Sequence, residues 1–283
     1  MRNLHTKRWG YWTDYPIRPG YELVGIVEKC GKDVRGLTEG ARVVCHAPHG
    51  TGAVVAAGDC VCIPDGVTDE EATFAMLGAT TAHGIRRAQV AYGATVLVLG
   101  LGVVGFLAAD HALHAGASNV IVCDPKAWKR ELARARGFVE PLDPTDPSFV
   151  DRVAERTDGR GADVVIEASG AAAAVESALR AVTVGGTILL QGTITDPVTI
   201  DFSDYAMHKE VRFISTWGKG PTGAAGRRWT RRANHRLAMG LLEAGALRTE
   251  GLITHRYPFD QIAEAYRRID QGELDYLQII LTY

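Results

Sequence analysis

The 283-residue sequence has no apolar run long enough to cross a bilayer. Its longest candidate, 94–109, is broken by Gly100, Gly102 and Gly105 and stops at Asp110, short of the roughly 20 residues a span needs. Charge of one sign is also missing: 31 Lys+Arg against 33 Asp+Glu leaves a formal −2, which argues against nucleic acid or an anionic membrane as the main partner and for a small molecule. Cysteine is scarce and unpaired in pattern. Cys30, Cys45, Cys60, Cys62 and Cys123 are odd in number and contain no CxxC, so reduced thiols are expected rather than a disulfide framework. The basic start, Met1 to Arg8, is not followed by an apolar segment and does not read as a secretory signal; a cytoplasmic protein is expected. Repeats and low-complexity tracts are absent. What is present, 46% hydrophobic and 23% charged residues, is the composition of a chain that buries a core.

Short strands separated by Gly and Asp are expected over 22–28, 41–45, 52–55 and 60–64, followed by a helix opened by Asp69, Glu70 and Glu71 and running to Val90. From Ala94 strands alternate with helices: strands at 95–99, 119–123, 163–168 and 187–191, helices at 103–115, 127–136, 147–156 and 171–182. Buried strands joined by such helices call for right-handed crossovers, hence an α/β fold with a doubly wound parallel sheet. A last strand at 211–216, helices at 229–244 and 259–269 and a final strand at 277–281 follow, with 219–226 reading as a linker.

Gly100-Leu101-Gly102-Val103-Val104-Gly105 is a G-x-G-x-x-G sequence between an apolar strand and a helix, with Asp124 at the end of the next strand. Gly100 serves the tight turn, Gly102 the approach of a pyrophosphate and Gly105 the packing of helix on strand; the helix start faces the phosphates. Asp124 suits the ribose hydroxyls of NAD and repels a 2′-phosphate, so NAD is expected, with NADP open because Lys126, Lys129 and Arg130 stand nearby. Their simpler reading is a solvated basic helix face.

These residues and their surroundings resemble the medium-chain dehydrogenase/reductase superfamily of alcohol, polyol and threonine dehydrogenases. Pro19-Gly20-Tyr21-Glu22-Leu23-Val24-Gly25-Ile26-Val27 is similar to its P-G-H-E-x-x-G-x-V segment, and 80–84, 161–170, 185–187 and 252–255 continue the match in order. The resemblance implies a GroES-like β-rich catalytic domain over 1–76, a Rossmann domain over 77–217, a return to the first domain over 218–283, an active site in the cleft between them, and a homodimer formed through the strand near 211–216. It also implies that Thr81, Val104, Gly192 and Trp217 line the nicotinamide pocket, that Val103 and Lys129 belong to the cofactor site, and that Ser169 and Gly170 lie nearer the adenosine.

The chain departs from that family at the metal. Its zinc-ligand positions hold Tyr21 and about Leu77, and the segment before Pro19 is shorter than in the family, so no zinc is expected. A different metal site built from Cys45, His46, His49, Cys60 and Cys62 competes with the simpler reading of buried thiols, since Cys60 and Cys62 share one strand face. Without a metal, proton transfer falls to other groups: Tyr21 is the first candidate, Glu22 beside it a tuning or substrate-binding group, and His5 a relay. The basic cluster Arg227, Arg228, Arg231, Arg232, His235 and Arg236 reads either as a grip for an anionic substrate or as a solvated helix start. The expected activity is hydride transfer between the nicotinamide cofactor and a small alcohol or carbonyl. Reduction of an activated C=C bond or quinone, or a redox-silent nucleotide-binding protein, are the competing readings.

Overall fold

The computed structural model describes residues 16–216 and 229–283, and these form two compact units: 16–79 with 229–283, and 80–216. His5, Trp217, Arg227 and Arg228, and the expected linker at 219–226, lie outside the described residues.

The first unit opens with three short strands, β1 (Leu23–Ile26), β2 (Arg42–Cys45) and β3 (Cys60–Cys62), in an antiparallel sheet of that order. Val43, Cys45, Ala47 and Cys60 form its small core. The strand expected at 52–55 is not formed. Val54 stands wholly in solvent, so it has no apolar face to bury. The expected single helix from Asp69 is two: α1 (Asp69–Ala72) and α2 (Ala75–Ala88). A capping box starts α1, with Thr68 Oγ1 accepting from the Glu71 N–H and Glu71 Oε2 from the Thr68 N–H. The break comes where Thr73 turns both its N–H and its hydroxyl onto the Glu70 carbonyl, closing the turn early.

The second unit carries β4 (Thr95–Leu99), α3 (Val103–His114), β5 (Asn119–Cys123), α4 (Ala127–Ala135), α5 (Phe149–Glu155), β6 (Ala162–Glu167), α6 (Ala172–Ala181), β7 (Val182–Leu190) and β8 (Arg212–Ser215). Its five strands are parallel in the order β5-β4-β6-β7-β8. All five residues of β4 are buried, as expected of a central strand covered on both faces. Leu97, Leu99, Ile121, Val165, Leu179 and Ile188 are among the residues of one continuous core. Strand β7 begins five residues earlier than the pattern suggests, and a π-helical turn at Ser203–His208 has no counterpart in the sequence pattern.

The first unit is completed by α7 (Arg231–Glu243), β9 (Ile253–Pro258), α8 (Ile262–Asp270) and β10 (Gln278–Thr282), with β9 and β10 paired in parallel. Among the described residues no helix is long and apolar enough to cross a membrane.

Candidate functional site

In the parallel-sheet unit, candidate cofactor residues gather where the chain leaves the carboxyl ends of β4, β5, β6 and β7. Gly100 has φ +97°, and a Cβ there would lie 2.8 Å from Ser169 Cβ, so the turn requires glycine. A Cβ on Gly105 would overlap the Gly100 carbonyl oxygen, whereas one on Gly102 would meet no protein atom within 4 Å. Gly102 begins α3 without a side-chain cap. The leading N–H groups of that helix, which have no partners within it, therefore remain for an anion.

Asp124, 5% exposed, is tied to this loop. Its Oδ2 accepts the Leu101 N–H at 2.8 Å and its Oδ1 the Lys126 N–H at 2.9 Å, leaving further lone pairs on both oxygens. The solvated basic face expected beside it is corrected. Lys129 Nζ is drawn to 3.6 Å from Asp124 Oδ2, and Arg130 folds back onto the Asp124 carbonyl at 2.7 Å and onto Asp143 at 3.0 Å, because these carboxylates and carbonyls offer partners that water alone would otherwise supply.

Glu167 ends β6 fully buried. Its Oε1 accepts from the N–H groups of Ser169 at 2.8 Å and Gly170 at 2.9 Å and from the Ser169 hydroxyl, while Oε2 has no hydrogen-bond partner among the described residues. Burial pushes its carboxyl above the usual range, against the lowering effect of those donors. Gly192, after β7, lies close by: its N–H donates to the Glu167 carbonyl at 2.7 Å. Thr81 is fully buried, Val103 is buried and Val104 half-buried at the start of α3. Gln191, which no motif singles out, donates from Nε2 to the Thr80 carbonyl at 3.0 Å.

The β-rich unit holds a cavity of about 460 Å³ whose lining includes Tyr21, Glu22, His49, Leu77, Tyr266 and Tyr283. Glu22 is half-buried and its Oε1 accepts the Met76 N–H at 2.9 Å. Burial raises its carboxyl to about 8 despite that bond. Tyr21, 48% exposed as a residue, has its phenol raised by burial and by the charge of Glu22. Its ring lies 6.4 Å from that of His46, and His49 meets Tyr266 edge-on at 6.3 Å. The structure therefore brings Tyr21 and Glu22 to one cavity. The contributions of α8 and β10 to that cavity had no signal in motif spacing.

The thiols fall into two groups. Cys45 and Cys60 face each other across β2 and β3, buried and without a disulfide, and burial pushes Cys45 to about 11 and Cys60 upward. Cys62 is exposed, which corrects the reading of Cys60 and Cys62 as buried together. His235 is buried in α7, and burial, with Arg231 and His46 nearby, lowers it to about 4. Among the described residues no three His, Cys, Asp or Glu side chains group as a metal site.

Residues 2–99 match the family "Alcohol dehydrogenase GroES-like domain" and residues 103–229 match "Zinc-binding dehydrogenase". The chain is 29% identical to L-threonine 3-dehydrogenase of Pyrococcus horikoshii, over 96% of this chain and 85% of that one. It is also 29% identical to an alcohol dehydrogenase of Cupriavidus necator, over 89% and 81%. Among solved structures, a Sinorhizobium meliloti protein bound to NADP superposes with a TM-score of 0.83 at 25% identity, covering 100% of this chain and 87% of that one. Galactitol-1-phosphate dehydrogenase of Escherichia coli shares the fold at TM-score 0.82 and 22% identity, over 97% and 87%. With the glycine loop, the acid after β5 and both domain matches in chain order, this protein belongs to the medium-chain dehydrogenase/reductase superfamily, of the alcohol dehydrogenase type.

Proposed function

We propose that the chain is an NAD(P)-dependent oxidoreductase, preferring NAD, that moves a hydride between the nicotinamide cofactor and a small alcohol or carbonyl compound without zinc. The observation that carries this reading is the glycine loop at the end of β4, held by the bond from Leu101 N–H to Asp124. The residues fit a dinucleotide: a Cβ at Gly102 would fill open space where a pyrophosphate approaches, and Asp124 keeps acceptor capacity for ribose hydroxyls. When bound, the nicotinamide supplies the hydride acceptor or donor. Gly100, Gly102 and the start of α3 bind the phosphates, Asp124 and Lys129 bind and orient the ribose, and Thr81, Val104 and Gly192 shape the ring pocket. Ser169 and Gly170 border the adenosine half.

The residues do not fit a catalytic zinc: Tyr21 and about Leu77 stand at the ligand positions that the family resemblance implies, and neither side chain is a zinc ligand of that type. Proton transfer is instead assigned to the cavity of the β-rich unit. Glu22, near 8, is largely protonated at neutral pH and beside the Tyr21 phenol it forms a proton-donating pair for the substrate oxygen. Asp69 and Glu70, paired with Arg42 and Arg256, supply the carboxylates of the lining, and with no Lys or Arg among its described lining residues the cavity favours a neutral substrate over an anionic one. We assign the dimer contact to β8, the edge of the parallel sheet, which carries Phe213 half-exposed.

Titration of nicotinamide fluorescence with NADH and NADPH, with a metal assay on the same sample, tests this. Tighter binding of NADH and no stoichiometric zinc are expected, followed by turnover that falls in Tyr21→Phe. Absence of binding by either nucleotide removes the reading. NADH binding with no turnover of alcohols, aldehydes or enones marks a redox-silent nucleotide-binding protein.

A further inference from the structure

The buried carboxyl of Glu167 touches none of the candidate phosphate-binding groups, yet it contacts the backbone on which they rest. Its Oε1 collects two N–H donors and one hydroxyl from Ser169 and Gly170, so the two residues after β6 are wrapped around it. Ser169 is in turn the surface against which the glycine loop closes: a Cβ on Gly100 would come within 2.9 Å of the Ser169 N and Cα. On the other side, a Cβ on Gly192 would lie 2.5 Å from the Gly170 N and 2.7 Å from Glu167 Oε2. The ends of three neighbouring strands, β4, β6 and β7, are thus fitted to one another through a single side chain.

We propose that Glu167 is a positioning residue for dinucleotide binding: by gripping Ser169 and Gly170 it holds the ledge that sets the glycine loop at Gly100 and the turn at Gly192. This rests on the nucleotide-binding reading above. The grip needs an acceptor at Oε1 and tolerates a neutral group, since Oε2 has no charged partner among the described residues. Burial favours the neutral acid, and an amide of the same shape reproduces an acid's one acceptor toward Ser169 and Gly170. The hydrogen bonds of Glu167 go to Ser169 and Gly170 and not to Asp124, so Glu167 sets affinity for both nucleotides alike and leaves the choice between them to Asp124.

The test is NADH and NADPH titration by fluorescence on the full chain, with thermal melts on the same samples. Glu167→Gln is expected to bind both nucleotides within about threefold of the unaltered protein. Glu167→Leu, which fills the volume without an acceptor, is expected to weaken both by about tenfold, the effect of losing roughly 1.4 kcal/mol of hydrogen bonding. The NADH-to-NADPH ratio is expected to stay fixed in each variant. Ser169→Ala removes one donor with little risk to folding and is expected to weaken both nucleotides about threefold. Combined with Glu167→Leu, where the acceptor is already lost, the same Ser169→Ala change adds nothing. Unchanged binding in Glu167→Leu, or a Ser169→Ala effect that is undiminished in the double variant, overturns the proposal; should Glu167→Leu fail to fold, unchanged binding in Ser169→Ala overturns it. If the unaltered protein binds neither nucleotide, the cofactor reading and this proposal fall together, whereas normal binding with insensitive variants removes this proposal alone.

Discussion

The parallel-sheet unit and the β-rich unit carry their chemistry in different ways. In the first, the working parts are backbone: a turn that needs φ +97° at Gly100, a helix start without a cap, and a carboxylate that ties a loop N–H. In the second, the distinctive groups are side chains whose acidity comes from burial, as with Glu22 near 8 and His235 near 4. Backbone devices respond to steric change and little to pH; buried titratable groups respond to pH and tolerate isosteric change.

Substitutions in the glycine loop give the largest expected effect. Gly105→Ala drives a methyl into the Gly100 carbonyl and is expected to cost about 3 kcal/mol in a urea melt, with nucleotide binding lost alongside. Gly102→Ala separates the two consequences. Its Cβ meets no protein atom, so the melt is expected to be unchanged while NADH binding weakens by about tenfold or more, because the pyrophosphate is kept away. A normal NADH affinity in Gly102→Ala would break the assignment of this loop.

The β-rich unit is sharpened by pH. Glu22 has a folded value raised from 4.5 to about 8, so its contribution to stability is full below about 4.5 and is lost as pH rises through 8. Glu22→Gln, which keeps the acceptor for Met76 N–H, is expected to remove that decline and to be more stable than the unaltered protein at pH 9 by ~3 kcal/mol. His235 works the opposite way. Its folded value is lowered from 6.5 to about 4, so its contribution is full above 6.5 and is lost as pH falls through 4. His235→Gln is expected to flatten the acid side by ~2 kcal/mol between pH 7 and pH 4. Melting temperature recorded across pH on both variants checks each slope, and a flat profile in the unaltered protein contradicts both.

The same contrast explains what could be read from sequence. Glycine spacing and an acid at a strand end are local patterns, and Gly100, Gly102, Gly105 and Asp124 lie where those patterns place them. The contacts of Lys129 and Arg130 were not legible, because a basic helix turn reads as solvated until the carboxylates of Asp124 and Asp143 are seen beside it. The apolar stretch at 52–55 looks like a strand, but pairing depends on a neighbour that no local pattern reports. Thr73 ends α1 through a hydroxyl bond that propensity does not encode. Glu22 and Glu167 each stand in a recognisable motif, yet only packing from distant segments takes them out of water and gives them shifted acidity.

The order of strands in the parallel sheet has a consequence for synthesis. β4 pairs with β6, with Leu97 opposite Val165, and the turn at Gly192 follows Leu99 by 93 residues, the difference of 192 and 99. At roughly 5–20 residues per second of translation, the glycine loop waits on the order of 5–20 s for the strands that fix it. During that interval Thr95–Leu99 has β5 to pair with but not β6, and the glycine loop lacks the Ser169 surface it closes against. A nucleotide that binds only the folded chain stabilises it by mass action, and that stabilisation begins only once both strands are in place.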